Sequence, residues 1–155
     1  MGHILAHPLE RRLTHPVHQL ALAYWMRCRK LPGGIPGRQD IDPVEIPSLL
    51  PWVNLIEVHR RPDRLAFRHR LVGTGIVDAW ERDSTGRWFH EIYQPRKFAS
   101  LQSRLEEVAR TGDPAVLDDD LREVGKPHRA VSTLVMPLAS DSRRVDMLLA
   151  VSQYL

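Results

Sequence analysis

Apolar and polar residues alternate through residues 65–72. Phe67, His69 and Leu71 fall on one face and Arg68, Arg70 and Val72 on the other. This predicts a strand. Gly73 and Gly75 bracket Thr74 and break it. Past the break Ile76, Val77 and Trp80 recur at helical spacing, Ser84-Thr85-Gly86 closes that turn, and a second short turn is expected at Trp88-Phe89. Upstream, residues 52–59 alternate Val53, Leu55 and Glu57 against Asn54, Ile56 and Val58. Residues 60–64 make a turn, so these two strands are expected to pair antiparallel.

Two helical patterns flank this hairpin. Residues 1–14 read as irregular. Residues 17–29 follow the 3.6-residue period through Val17, Leu20, Ala21, Tyr24 and Cys28, with Pro16 where a first turn tolerates it. Leu22, Trp25 and Met26 widen that stripe. The extra apolar side either wraps into the helix's own domain or meets a partner, and the pattern does not choose between them. The interface candidates are Leu20, Tyr24, Trp25 and Cys28. Residues 31–37, rich in Pro and Gly, stop this helix. Asp42 can cap a short helix with Pro43 at its first position and Glu45 placed as in a capping box. Pro47 and Pro51 leave either one kinked turn or two successive turns. The longer helix of the core is expected over residues 96–110, with Phe98, Leu101, Leu105, Val108 and Ala109 buried, Glu106 spaced to pair with Arg110, and Gly112 as its stop.

Three strands close the chain, at residues 115–123, 128–139 and 145–155, joined by turns at 124–127 and 140–143. In the last strand Met147, Leu149 and Val151 face one way and Leu148 and Ala150 the other, so both faces need cover. The expected fold is α+β: a five-stranded antiparallel sheet with short helices and one longer helix on one face. The N-terminal helix packs on the other face or at a dimer interface. Residues 1–37 read as an N-terminal extension and residues 38–155 as the core domain.

Composition narrows the class. The 155 residues, 43% hydrophobic and 26% charged, suit one globular domain. Cys28 is the only cysteine, which excludes a disulfide framework and a cysteine zinc site. No apolar run is long enough for a signal peptide or a membrane span, so a cytoplasmic protein is expected. The net charge is +3, with basic residues interspersed among acids, not gathered in a stripe; nucleic acid is not an expected partner.

The order of elements, with Tyr24-Trp25, Asp40-Ile41-Asp42-Pro43, Ile46-Pro47, Leu50-Pro51, Phe67 through Thr74, Thr85-Gly86 and Val145 through Leu149, resembles the PAS domain. More narrowly it resembles a family of small bacterial PAS-like proteins. The match runs over about residues 20–154, and Leu71-Val72-Gly73-Thr74 is its most specific part. The resemblance implies a sensor or interaction module with its ligand, if any, between sheet and helices. It transfers no binding residues.

The candidate pocket residues are therefore read from alternation and spacing. They are His69, Phe67 and Leu71 on the strand, and Trp80, Trp88, Phe89, Phe98 and Leu101 on the helices above it. His69 is either a pocket group that titrates near neutral pH or a core histidine satisfied by a carbonyl or a water, and the second is the commoner case. The aromatics either line a cavity or fill the core. Arg68 and Arg70 turn away, toward ion pairing at the surface. His3, His7, His15 and His18 lack a completing acid or cysteine and read as surface histidines, and no metal is expected. Consecutive strand residues point to opposite faces, so Asp118, Asp119 and Asp120 cannot converge readily on a cation.

No cofactor is expected. Cys28 lies outside the core, against a flavin adduct, and residues 96–110 offer no histidine for haem. No catalytic triad, P-loop or dinucleotide glycine motif is present, so no enzyme is expected. Two functions remain: a module that binds a small ligand and signals by association, or a ligand-free interaction module acting as a homodimer or with a signalling partner. Because no output domain follows the last strand, any signal is expected to leave by association.

Overall fold

The computed structural model describes residues 7–155. Its elements are α1 (Pro16–Arg27), β1 (Val53–Arg60), β2 (Leu65–Val72), α2 (Thr74–Trp80), α3 (Phe89–Ile92), α4 (Pro95–Thr111), β3 (Ala115–Leu121), β4 (Lys126–Leu138) and β5 (Met147–Tyr154). The five strands form one antiparallel sheet in the order β2-β1-β5-β4-β3. The chain is α+β, with the helix and strand order expected from its patterning.

Alternation in β1 and β5 sorts the core into two layers. Val53, Leu55, Leu149 and Val151 enter an outer cluster with Leu22, Tyr24 and Trp25 of α1. Ile56, Val58, Leu148 and Ala150 enter an inner cluster with Phe89, Leu105 and Val108. Neither face of the central strands meets water, and burying each large aliphatic side chain contributes about 1.5–3 kcal/mol.

The wide apolar stripe of α1 is consumed within its own chain. One flank lies on the sheet, where Trp25 Nε1 donates to the Pro137 carbonyl at 2.8 Å. The other flank meets residues 38–52, whose Ile41, Ile46 and Leu49 join the same cluster. There Tyr24 donates its hydroxyl proton to Glu45 Oε1 at 3.0 Å and accepts from the Asp42 amide at 2.9 Å. Tyr24 and Trp25 are both 3% exposed, which corrects their reading as surface for a second chain. Leu20 stays exposed and Cys28, just past the helix, is half-buried.

Smaller corrections have equally local causes. Pro8–Arg12 forms a 3-10 turn capped by His7, not irregular chain, while residues 1–6, including His3, lie outside the described residues. His18 is fully buried, and its Nε2 lies 3.0 Å from the Ser132 carbonyl, so it is not a surface histidine. Residues 42–52 make separate 3-10 turns at Pro43–Glu45 and Leu50–Trp52, which places Trp52 before the strand. Glu45 serves Tyr24, not a capping box. Glu106 does not pair with Arg110, because its carboxylate accepts from Gln102 Nε2 at 2.8 Å and from the Leu65 amide. The β3–β4 turn falls at Arg122–Val124 with Gly125 at φ 77°, so β4 starts earlier than expected.

The largest departure lies in β2. Its register against β1 shifts between Leu55 and Ile56: Leu55 pairs with Leu71, Ile56 with His69, and Arg70 is the extra residue. Past a bulge the alternation inverts. Val72 therefore faces the inner layer, and Leu71 faces outward at 45% exposure. Immediately after, Gly73 donates its amide to the Val53 carbonyl at 2.7 Å and seats α2. A Cβ there would stand 2.4 Å from the Pro51 carbonyl oxygen and 2.5 Å from that of Leu50. Both are backbone atoms that cannot swing aside.

Gly73→Ala is accordingly expected to destabilise the protein by about 1–3 kcal/mol. The reading is a lower urea midpoint at unchanged slope. A midpoint equal to that of the parent would show that the Leu50–Pro51 turn yields freely.

Candidate functional site

Between the inner sheet face and α2, α3 and α4 lies a cavity of about 110 Å³. Ile56, Val135, Ala150 and Leu117 form much of its floor; Ile76, Trp80, Phe89 and Leu101 form much of its roof. It exists because the inner face carries polar residues where a packed core would have aliphatic ones: Asn54 on β1, His69 on β2, Thr133 on β4, Ser152 and Tyr154 on β5. Each of these needs a partner, and meeting that need fixes the side chains apart.

His69 is the centre of this arrangement. It is 3% exposed, and its ring stacks on Phe89 at 4.4 Å between centroids and 24° between planes. Nδ1 lies 3.1 Å from Asn54 Oδ1 and Nε2 lies 3.0 Å from the Tyr93 hydroxyl. The proton assignment that satisfies all three groups has Nδ1–H donating to Asn54 and Tyr93 O–H donating to Nε2. It requires a neutral imidazole. Burial, and secondarily the charge of Arg82, push the pKa of His69 down to about 4. Burial likewise raises that of the Tyr93 phenol. The backbone holds His69 as firmly: its amide donates to the Arg87 carbonyl and its carbonyl accepts from Gly86.

A second set of groups closes the mouth. Lys97 Nζ sits 4.2 Å from the centre of the Trp80 ring and 2.9 Å from Asp119 Oδ2. Arg82 lies over both Trp80 and Tyr93, at 5.6 and 5.5 Å. Glu123 Oε2 lies between the two cations, 3.8 Å from Lys97 and 3.7 Å from Arg82, buried and without a hydrogen bond. Trp80 Nε1 donates to the Tyr154 hydroxyl at 2.9 Å, which ties the roof to the end of β5. On the floor the Thr133 and Ser152 hydroxyls bond each other at 2.9 Å.

Of the candidate residues, His69, Trp80, Phe89 and Leu101 line the cavity. Phe67 and Phe98 pack in the core beside it. Leu71 is turned outward by the bulge. Trp88 is on the opposite face: its backbone bridges to Arg68, and its ring meets His59 and Arg61, each at 4.9 Å. Trp88 is extended, so it and Phe89 point to opposite faces. Asn54, Tyr93, Lys97, Arg82 and Tyr154 escaped the sequence reading. Two signals were available. Asn54 interrupts an apolar face, and Tyr93 stands four residues after Phe89, on the same side of a helical turn.

Arg68 pairs with Glu57 through Nε and Nη2, at 2.9 and 3.2 Å, as surface ion pairing predicts. Asp119 and Asp120 go to different cations, Lys97 and Arg122. Among the described residues no group of His, Cys, Asp or Glu is arranged to hold a metal, and no helix is long and apolar enough to cross a membrane. Cys28 packs in the outer layer, on the other side of the sheet from the cavity.

His69 makes stability depend on pH with a definite sign. Its folded pKa lies below the unfolded value of about 6.5, so the unfolded chain takes up the proton first. Stability is therefore lost as pH falls from about 6.5 to about 4, by up to about 3 kcal/mol from this residue. His18, also lowered by burial, acts in the same direction. Denaturant melts of the parent and His69→Gln at a series of pH values isolate the His69 part. The variant is expected to lose distinctly less stability on acidification; parallel curves would refute the buried neutral imidazole.

The PAS domain family matches residues 13–152. No curated protein is similar enough in sequence to match. Among solved structures, the chain is similar to a domain of a candidate light and redox sensing histidine kinase from Haloarcula marismortui. That likeness has 13% identity and a TM-score of 0.43, over 72% of this chain and 97% of that one. With the family match spanning α1, the sheet up to the last two residues of β5 and every helix above it, the chain belongs to the PAS domain family, a family of sensory and signalling modules.

Proposed function

We propose that this PAS domain senses a small molecule held between sheet and helices, and signals by association with a second copy or a signalling partner. The observation that carries this reading is the cavity itself. It is roofed by Trp80 and Phe89, walled on one side by the His69–Asn54–Tyr93 network, and set where the resemblance places a ligand. At about 110 Å³ it is well below the roughly 300–1,000 Å³ of drug-sized sites. The ligand is accordingly compact, with an apolar body against Ile56, Leu101 and Ala150 and a polar end toward His69 and Tyr93. A haem or a flavin would need the helices to stand off the sheet, so the reading carries neither.

The module has no catalytic step in this reading. Both ring nitrogens of His69 are engaged, and a base with a pKa of about 4 is a weak proton acceptor at neutral pH. The module works in the cytoplasm, where a half-buried Cys28 stays a thiol. Association uses surface that α1 leaves free, such as Leu20, together with the outward-facing Leu71.

The small size of the cavity favours one second reading, an interaction module that needs no ligand. Ala150→Leu separates the two, because its added carbons occupy the void. In the parent, compact probes such as phenol or imidazole are expected to shift the NMR signals of Asn54, His69 and Tyr93. Native mass spectrometry of protein from its own host is expected to show a bound small mass. Ala150→Leu should abolish both while keeping or slightly raising stability, by up to about 1 kcal/mol. A bare mass with no probe response, and self-association in light scattering identical for parent and variant, would leave the ligand-free reading standing alone.

A further inference from the structure

Eight Lys and Arg side chains of this chain are ion-paired, and of the fourteen arginines without a carboxylate partner among the described residues six gather at one end of the molecule. All of its lysines are ion-paired: Lys30 with Asp40, Lys97 with Asp119, Lys126 with Glu81. Arg68, Arg70, Arg82, Arg87 and Arg122 are paired as well. Arg60, Arg61, Arg64, Arg110, Arg143 and Arg144 are all exposed, and none has a carboxylate partner among the described residues. They share one end of the molecule. Arg60, Arg61, Arg64 and Arg110 line a groove between the β1–β2 turn and the C-terminal half of α4. Arg144 is near enough to Arg60 to lower its pKa, after the larger effect of burial.

The acids at this end temper these charges through space, as Asp141 and Asp146 do at Arg60, but none forms a contact ion pair with them among the described residues. Glu106 accepts from Gln102 and from the Leu65 amide. Asp141 accepts from the amides of Arg143 and Arg144, at 2.9 and 2.7 Å. Asp146 accepts from Ser140. Among the described residues these guanidiniums bond no carboxylate, while the acids beside them stabilise turns.

The groove is also rigid. Gln102 Nε2 donates to the Leu65 carbonyl at 2.6 Å, so α4 is pinned to the start of β2. Arg61 stacks on Trp88 at 4.9 Å, which holds one guanidinium in place. Pro62, Leu65 and Ala109 add an apolar floor to a groove that Asp63 and Glu106 line together with the four arginines. Pre-set donors lose little entropy on binding, and planar guanidiniums match carboxylates two bonds at a time.

We propose that this arginine-rimmed groove docks an acidic segment of a partner protein, with an apolar side chain of that segment on the Pro62–Leu65–Ala109 floor. A peptide suits it better than a nucleic acid, for two reasons. The interleaved Asp63, Glu106, Asp141 and Asp146 would repel a continuous line of phosphates, whereas a peptide presents its carboxylates singly. The apolar floor has no counterpart in a sugar-phosphate backbone. This surface lies outside the ligand cavity, and its role does not require that cavity to be filled.

The test is fluorescence anisotropy with a labelled peptide of glutamate and leucine residues, its glutamine counterpart, and a labelled DNA duplex. The parent is expected to bind the glutamate peptide, more weakly as salt rises from about 50 to about 200 mM, and to ignore the glutamine peptide. Arg60→Glu with Arg64→Glu should lose about tenfold or more in affinity. Arg11→Glu with Arg12→Glu makes the same change in net charge in the turn before α1, at the opposite end of the sheet. It should lose less than about threefold. Thermal melts check that both variants fold. Equal losses in the two variants would reduce the binding to net charge and overturn the proposal, as would tighter binding of the DNA than of the glutamate peptide.

Discussion

The central strand β5 is buried on both faces, and that single requirement organises the chain. Met147, Leu149 and Val151 point into one layer while Leu148 and Ala150 point into the other. A sheet of this kind cannot leave either side to water. Helices α2 to α4 cover the inner face. The outer face is covered by α1, which is itself clasped by the proline-punctuated residues 38–52. The prolines of that segment break it into short turns that follow the surface of α1. Pro137, near the end of β4, lies past the last β3–β4 pair, Ala115 with Val135, so no strand on that side needs its missing amide.

The inner layer is the less complete of the two, for a chemical reason. Its sheet face mixes Asn54, His69, Thr133, Ser152 and Tyr154 among aliphatic residues. Buried polar groups must be satisfied, and they are satisfied in pairs whose directions are fixed. Side chains held by such bonds cannot relax into whatever space remains, so a void persists among them. The bulge at Arg70 contributes by bringing both His69 and Val72 to this face. Without it, Val72 would point outward and Leu71 inward, and α2 would start in a different direction.

Much of this was legible in the sequence, and the exceptions have separate causes. Strand alternation placed Val53, Leu55, Ile56, Leu148 and Leu149 in their correct layers, and Gly112 ended α4 in the left-handed conformation expected of it. Leu71 was misplaced because alternation holds only within an uninterrupted strand, and Trp88 because it was read into the short turn with Phe89 although it is extended and bridges to Arg68. Neither the bulge nor the isolated bridge has a residue signature here. Tyr24 and Trp25 read as possible interface because an apolar stripe shows that a helix needs cover without showing what covers it. Asn54 is a neutral polar residue on a strand and Tyr93 stands just past a short helix, so neither stands out by charge or by a place within a helix. What marks Asn54 is that it is the polar position that breaks an apolar face.

The strand order also has a consequence for how the molecule comes together. The β1–β2 hairpin and the β3–β4–β5 meander each pair residues close in sequence, and both can form early. They are joined only along the β1–β5 seam, where Val53 meets Val151 and Leu55 meets Leu149. Closing that seam requires the whole intervening chain to fold back, with the loop entropy that such a closure costs. Both core layers cross it, so neither is complete until it closes. The seam that makes the sheet continuous is thus the natural slow step of its folding, and the boundary along which two half-sheets would part.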